Sequence, residues 1–314
     1  MTDAAVVFAY HDVGARCLET LLSHGVKVRL VVTHEDDPGE NIWFASVAAL
    51  ARQHAIPVMT PAHPNTAELT QHIASLRPDF LFSFYYRQMI GQPLLDIPRL
   101  GALNMHGSLL PKYRGRAPVN WAVIRGELET GATLHYMVVK PYAVDIVDSQ
   151  SVPICPNDTA VDVFHKVTDA AQAVLARSLP RLMDGTAPRL VQNQAQATYF
   201  GGRKPEDGRI DWSRSAAEIH NLVRGVAPPY PGAFTSIAGK PARVLRTLRE
   251  SGTGPYKKPC LFFSNGRAYA QCADAGLLRL MELEVNGQFL REPDMSQFIG
   301  ERPLPLSTTT RVMA

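Results

Sequence analysis

Between Val6 and Phe84 short apolar runs alternate with longer stretches whose apolar positions recur three and four residues apart. Such alternation confines a chain to an open, mostly parallel sheet covered by helices, because parallel neighbours need a crossover connection between them. Strands are expected over 6–9, 26–32, 57–59, 80–84, 102–105, 133–139 and 146–152. Helices are expected over 14–22, 43–53, 67–76 and 118–126, the last opening on Pro118, whose missing N–H costs nothing at a first helical position. Thr159 and Asp162 make a capping-box-like start for a helix that runs to about residue 183.

The pattern then changes. Residues 185–207 are polar and irregular, 215–226 form one amphipathic helix with Ile219, Leu222 and Val223 on a face, and Pro228-Pro229-Tyr230-Pro231-Gly232 breaks it. Only short strands with glycine turns follow, the form of a small OB-like barrel. With 314 residues, 46% hydrophobic and 19% charged, the chain has material for two cores. The expected plan is a Rossmann-like doubly wound α/β domain over 1–188, a linker over 189–206 and a barrel-like domain over 207–314.

A net charge of +3 neither demands nor excludes a polyanionic partner. The amino terminus lacks a basic segment leading into an apolar core, and no apolar run approaches the roughly 20 residues that span a bilayer. A soluble cytoplasmic protein without a membrane partner is therefore expected. Cys17, Cys155, Cys260 and Cys272 show no metal-ligand spacing and read as packing residues, with no metal site. The first turn, Tyr10-His11-Asp12-Val13-Gly14, has one glycine where a dinucleotide fingerprint needs three, and neither a P-loop nor a G-x-S-x-G elbow occurs.

Asn104-Met105-His106-Gly107-Ser108 closes an apolar run. On a strand, residues two apart share a face, so an amide and an imidazole can converge on one reacting group. The amide can donate to a developing oxyanion and the imidazole can take a proton near neutral pH, which suits acyl transfer to an amine. On spacing alone a second reading stays open, with Asn104 capping the next turn and His106 a structural histidine. Arg116, in Lys112-Tyr113-Arg114-Gly115-Arg116, reads either as an anion contact or as part of a solvated turn.

Residues 104–121, NMHGSLLPKYRGRAPVNW, resemble the signature of the folate-dependent formyltransferases. The resemblance implies 10-formyltetrahydrofolate as co-substrate, Asn104 as the group that stabilises the tetrahedral adduct and His106 as acid/base. It implies folate contacts at Arg116, at Gln88, Met89 and Ile90, and at Val138, Val139, Lys140, Pro141 and Tyr142. The family also places an Asp, two residues before a Gly, beside the catalytic His. Here Tyr142 stands at the Asp position and Val144 at the Gly position. A carboxylate would raise the His106 pKa, whereas a neutral tyrosine can only hydrogen-bond, so a weakened variant is expected first and rescue by Asp145 second.

Residues 8–14, 33–40 and 83–87 resemble the branch acting on UDP-4-amino-4-deoxy-L-arabinose, which implies a nucleotide-sugar acceptor and a place in lipid A modification. In length and domain plan the chain also resembles the methionyl-tRNA branch. Glu35, Asp36, Asp37 and Glu40 in one loop argue against nucleic acid by repelling phosphates. Tyr10, Arg203 and Arg224 are the candidate acceptor contacts. The chain ends at Ala314 and reads as a stand-alone form. A non-catalytic folate or nucleotide-sugar binder and a formate-releasing hydrolase are the competing readings.

Overall fold

The computed structural model describes residues 3–138 and 145–307. The chain divides into two compact units, Met1–Arg114 with Thr130–Val152 and His165–Tyr199, and Gly115–Glu129 with Pro153–Phe164 and Phe200–Ala314. In chain order its first elements are β1 (Ala4–Ala9), α1 (His11–Ser23), β2 (Lys27–Val32), α2 (Val47–Gln53), β3 (Val58–Met59), α3 (Ala67–Ser75), β4 (Phe80–Phe84) and α4 (Gln92–Leu95). Then come β5 (Gly101–His106), β6 (Arg114–Gly115), α5 (Pro118–Ile124), β7 (Glu129–Tyr136), β8 (Ile146–Pro153) and α6 (Ala160–Met183).

The first unit holds a sheet of order β3-β2-β1-β4-β5-β7-β8. β1 and β4 are buried along their whole length, as strands covered on both faces must be, and their neighbours run parallel. α3 packs Leu69 and Ile73 against Val6, Phe8 and Leu81. From β1 the chain moves outward through β2 and β3, then returns to β4 on the other side of β1. Strand order thus reverses between β1 and β4, and the carboxyl ends of strands at such a reversal are where open sheets of this kind take their ligands.

Two expectations change. The helix expected from residue 43 starts at Val47, capped by Ser46, because Trp43 and Phe44 pack their rings on His11 at 4.7 and 3.9 Å instead. The strand expected from 133 starts four residues earlier, at Glu129, and β7 pairs antiparallel with β5. Gly131 permits this extension, since a Cβ there would lie 2.1 Å from the Gln150 carbonyl oxygen of β8.

β9 (Tyr199–Phe200) precedes α7 (Ala216–Gly225), β10 (Ala233–Ile237), β11 (Lys240–Thr253), β12 (Cys260–Ser264), β13 (Arg267–Gln271), β14 (Gly276–Val285), β15 (Gln288–Arg291), α8 (Met295–Ile299) and β16 (Leu304–Pro305). The expected barrel takes the form of an antiparallel half-barrel of order β10-β11-β14-β13-β12-β16, with β15 on β14. A capping box of Ser215 and Glu218 starts α7, whose Ile219 and Val223 join Val244, Leu278 and Leu280 in the core. Cys17, Cys260 and Cys272 are buried, and Cys155 is exposed, unlike the packing role expected of it. No helix among the described residues is long and apolar enough to cross a membrane.

Candidate active site

Asn104 and His106 end β5 on one face, and the β5–β7 register sets Asn104 opposite His135 and His106 opposite Thr133. His135 Nδ1 lies 2.8 Å from the Tyr136 carbonyl oxygen, which can only accept, so Nδ1 carries the proton and Nε2 is bare. Nε2 then accepts from Asn104 Nδ2 at 3.0 Å. This fixes the flip of the amide and leaves its second N–H to donate elsewhere. Burial pushes the His135 pKa down to about 4, with His106 and Arg114 opposing a further positive charge and the Tyr136 carbonyl partly offsetting them. The ring is therefore a neutral acceptor at physiological pH.

The same logic assigns His106. Its Nε2 donates to the Tyr113 carbonyl at 2.8 Å, which leaves the Nδ1 lone pair as the base. Burial lowers its pKa, and the Arg114 guanidinium lowers it further against the pull of the Tyr113 carbonyl. The loop that carries Tyr113 is braced throughout: Ser108 Oγ donates to Lys112 O (2.6 Å), Thr133 Oγ1 to Ser108 O (2.7 Å) and Tyr113 N–H to Thr198 Oγ1 (2.8 Å). Arg114 is buried and reaches the side chains of Gln192 and Gln194. The Ser108 hydroxyl, wholly buried and donating to a carbonyl, is not presented as a nucleophile.

His135 was not among the residues expected from sequence; only the strand register reveals it. As a positioning residue it carries a prediction. His135→Phe removes the acceptor that orients Asn104 and is expected to lower kcat about ten- to a hundredfold with KM nearly unchanged. His135→Gln, which returns an acceptor oxygen, should recover part of that loss. Steady-state kinetics on both variants checks this, and equal activity in all three proteins removes the role.

Just beyond the end of β1, Tyr10 is buried and its hydroxyl donates to Asp36 at 2.8 Å. Burial and that carboxylate push its pKa up to about 12. Tyr10, expected as an acceptor contact, is instead a packing hub between His34 and Phe44, with the Arg87 guanidinium 4.6 Å from its ring centre. Arg87 binds Glu40 through two hydrogen bonds, of 2.7 and 2.6 Å. Thr60 donates to Glu35 at 3.2 Å. The expected repulsion of phosphates by this loop is thus weakened, because Arg87 neutralises Glu40 and Asp36 faces a hydroxyl.

In the expected folate loop, Gln88 donates to the Ala62 carbonyl, Asn65 donates to the Met89 carbonyl and accepts from Gly91 N–H. Met89 is 70% exposed and offers an apolar surface, while the Ile90 side chain packs into the core. Val138 is 47% exposed. Val139, Lys140, Pro141, Tyr142 and Val144 lie outside the described residues. Asp145, the expected substitute partner of His106, pairs with Arg189 at 3.7 Å, and Arg189 also stacks over Tyr136.

In the second unit, Arg116 is exposed and its N–H donates to the Phe200 carbonyl at 3.0 Å. Arg203 is half-buried, its Nε meeting no acceptor, and burial lowers its pKa. Arg224 does not fit the acceptor role expected of it: it is buried and donates to the Cys155 and Asp158 carbonyls and to Asn221.

Two family models match the chain in sequence order. Residues 6–179 match the formyl transferase family model and residues 203–294 its C-terminal domain model. The N-formyltransferase from Helicobacter canadensis, solved with folinic acid and dTDP-3-aminofucose, is 19% identical, with 89% of this chain and 99% of that one covered and a TM-score of 0.69. WlaRD, a sugar 3N-formyltransferase solved with dTDP and 5-N-formyl-THF, is 18% identical over 89% of this chain and 97% of its own, with a TM-score of 0.70. HypX from Aquifex aeolicus, solved with tetrahydrofolic acid, is 16% identical over 98% of this chain but 50% of its own, with a TM-score of 0.63.

Proposed function

Because this chain belongs to the formyl transferase family, we propose that it moves a formyl group from 10-formyltetrahydrofolate to the amine of a UDP-amino sugar, with UDP-4-amino-4-deoxy-L-arabinose first among the candidates. The observation that carries the reading is the pair of fixed protonation states, a bare Nδ1 on His106 and a spare amide N–H on Asn104, on one face of β5. The chain spans nearly the whole of two sugar N-formyltransferases and only half of HypX, which favours a nucleotide-sugar acceptor. That acceptor would place the enzyme in lipid A modification.

The folate supplies the formyl carbon to which the amine adds. Asn104 donates its second N–H to the oxygen that gains charge, and His106 Nδ1 takes the proton that the amine nitrogen loses as its bond to carbon forms. When the adduct collapses, the bond from that carbon to N10 of the folate breaks and His106 returns the proton to N10, so that tetrahydrofolate leaves. Met89 gives a planar heterocycle an apolar surface on a loop that Asn65 holds still. Arg116 is the exposed cation assigned to the folate.

Tyr142 at the family Asp position favours one competing reading, a binder of folate and nucleotide sugar without turnover. A panel of UDP-amino sugars and methionyl-tRNA, each with 10-formyltetrahydrofolate, separates the cases. Formylated sugar supports the proposal, formylated tRNA overturns the acceptor, formate release without acceptor reveals a hydrolase, and calorimetric binding without product supports the binder.

A further inference from the structure

Residues 190–198, the polar stretch after α6, belong to the first unit and are tied to it by a series of hydrogen bonds. Leu190 exchanges a pair with Ile146 at the start of β8, at 2.8 and 2.9 Å. The Asn193 side chain accepts from Ala195 N–H and the Asn193 carbonyl from Gln196 N–H, which closes a turn. Gln192 and Gln194 accept from the Arg114 guanidinium at 2.5 and 2.9 Å. Thr198 then binds the 111–114 loop at three points: its Oγ1 accepts from Tyr113 N–H at 2.8 Å, its carbonyl accepts from Arg114 N–H at 2.9 Å, and its N–H donates to the Pro111 carbonyl at 3.3 Å.

The residue so held is strained. Tyr113 is buried with φ at 57°, in the left-handed region where a residue other than glycine persists only when its surroundings enforce it. Its carbonyl accepts the His106 Nε2 proton at 2.8 Å. That carbonyl and the Arg114 N–H belong to one planar peptide unit and point opposite ways. An Arg114 N–H held on the Thr198 carbonyl, with the Tyr113 N–H held on Thr198 Oγ1, therefore fixes both peptides that flank Tyr113 and aims its carbonyl at the imidazole.

We infer that Thr198 is a positioning residue of the formyl-transfer site: its hydroxyl oxygen holds Tyr113 left-handed, and Tyr113 in turn keeps the proton on His106 Nε2 and Nδ1 bare. The inference rests on the reading of His106 as the base and names the group that decides which of its nitrogens can act. A histidine keeps its tautomer through the hydrogen bond that its other nitrogen makes. A Tyr113 carbonyl that swings away frees the proton to move to Nδ1, and the base is blocked.

Thr198→Val keeps the shape of the side chain and removes the acceptor, whereas Thr198→Ser keeps the acceptor. Nitrogen NMR of the full chain carrying labelled histidine reads the tautomers, with His106 identified as the signal lost in His106→Gln. Wild type and Thr198→Ser are expected to hold the proton on Nε2, and Thr198→Val to show it on Nδ1 in a fraction of molecules. Turnover of Thr198→Val should fall about three- to thirtyfold with both KM values nearly unchanged, and Thr198→Ser should recover most of the loss. Thr198 is exposed, so the circular dichroism melting curve should stay in place; if it falls, Thr198→Ala read well below its melt makes the same decision. Equal tautomers and equal turnover in wild type and Thr198→Val overturn the role of Thr198 and leave His106 standing as the base, as does a loss of turnover with the proton still on Nε2. A wild-type His106 protonated on Nδ1 overturns the inference and the base reading together.

Discussion

Asn104→Ala is expected to lower the turnover number by about a hundred- to a thousandfold, the usual cost of removing one donor aimed at a developing oxyanion. The substitution deletes the amide whose orientation His135 fixes, and it leaves the Met89 surface and Arg116 untouched. Folinic acid affinity should therefore stay close to that of the parent. Single-turnover kinetics and a folate titration on the same preparation check both halves. If turnover survives, the donor to the oxyanion is another group; if folate affinity falls in step, Asn104 holds the ground state and not the adduct.

The largest gain is expected from Tyr142→Asp combined with Val144→Gly. His106 is pulled toward its neutral form by burial and by Arg114. A low proton affinity makes it available as a base and leaves it a weak one. A carboxylate beside the ring favours the imidazolium, so the proton taken from the amine is held more firmly. Formyl transfer is expected to rise about a hundred- to ten-thousandfold.

The sign of the pH effect follows. In the present chain the His106 pKa is below its ordinary value of 6.5, so the acid limb of kcat/KM lies below pH 6.5. In the double variant that limb should move upward in pH. A pH–rate profile of both proteins tests this, and identical profiles with equal rates discard the idea that position 142 limits the chemistry.

How much was legible depended on how local the cause was. The alternating sheet could be read because strand and helix periods are written within single segments, and β4 was expected at its observed bounds. Asn104 and His106 could be paired because a period of two needs no knowledge of neighbours. His135 could not, since nothing near it in the chain states that it faces Asn104; that depends on the register of β5 and β7.

The same limit explains Tyr10 and the acidic loop. Asp36 and Glu40 read as bare charges, yet their partners stand 26 and 47 residues away in the chain. Arg224 looked like a free cation because the carbonyls it serves, those of Cys155 and Asp158, carry no side-chain signal at all. The late start of α2 had a similar origin, since Trp43 and Phe44 fit a helical period but are drawn to His11.

Gly131 ties the first unit's chemistry to its strand alignment. Any side chain there would meet the Gln150 carbonyl, so β7 would have to slide or lift away from β8. A slide of one residue turns the opposite face of a strand inward and would set Leu134 or Tyr136 across from Asn104 in place of an imidazole. The amide would lose the partner that holds it still, with no catalytic atom altered. Slow formyl transfer in a chain changed at this glycine would measure a mis-set ladder, and the enzyme's rate becomes a gauge of how two strands are seated.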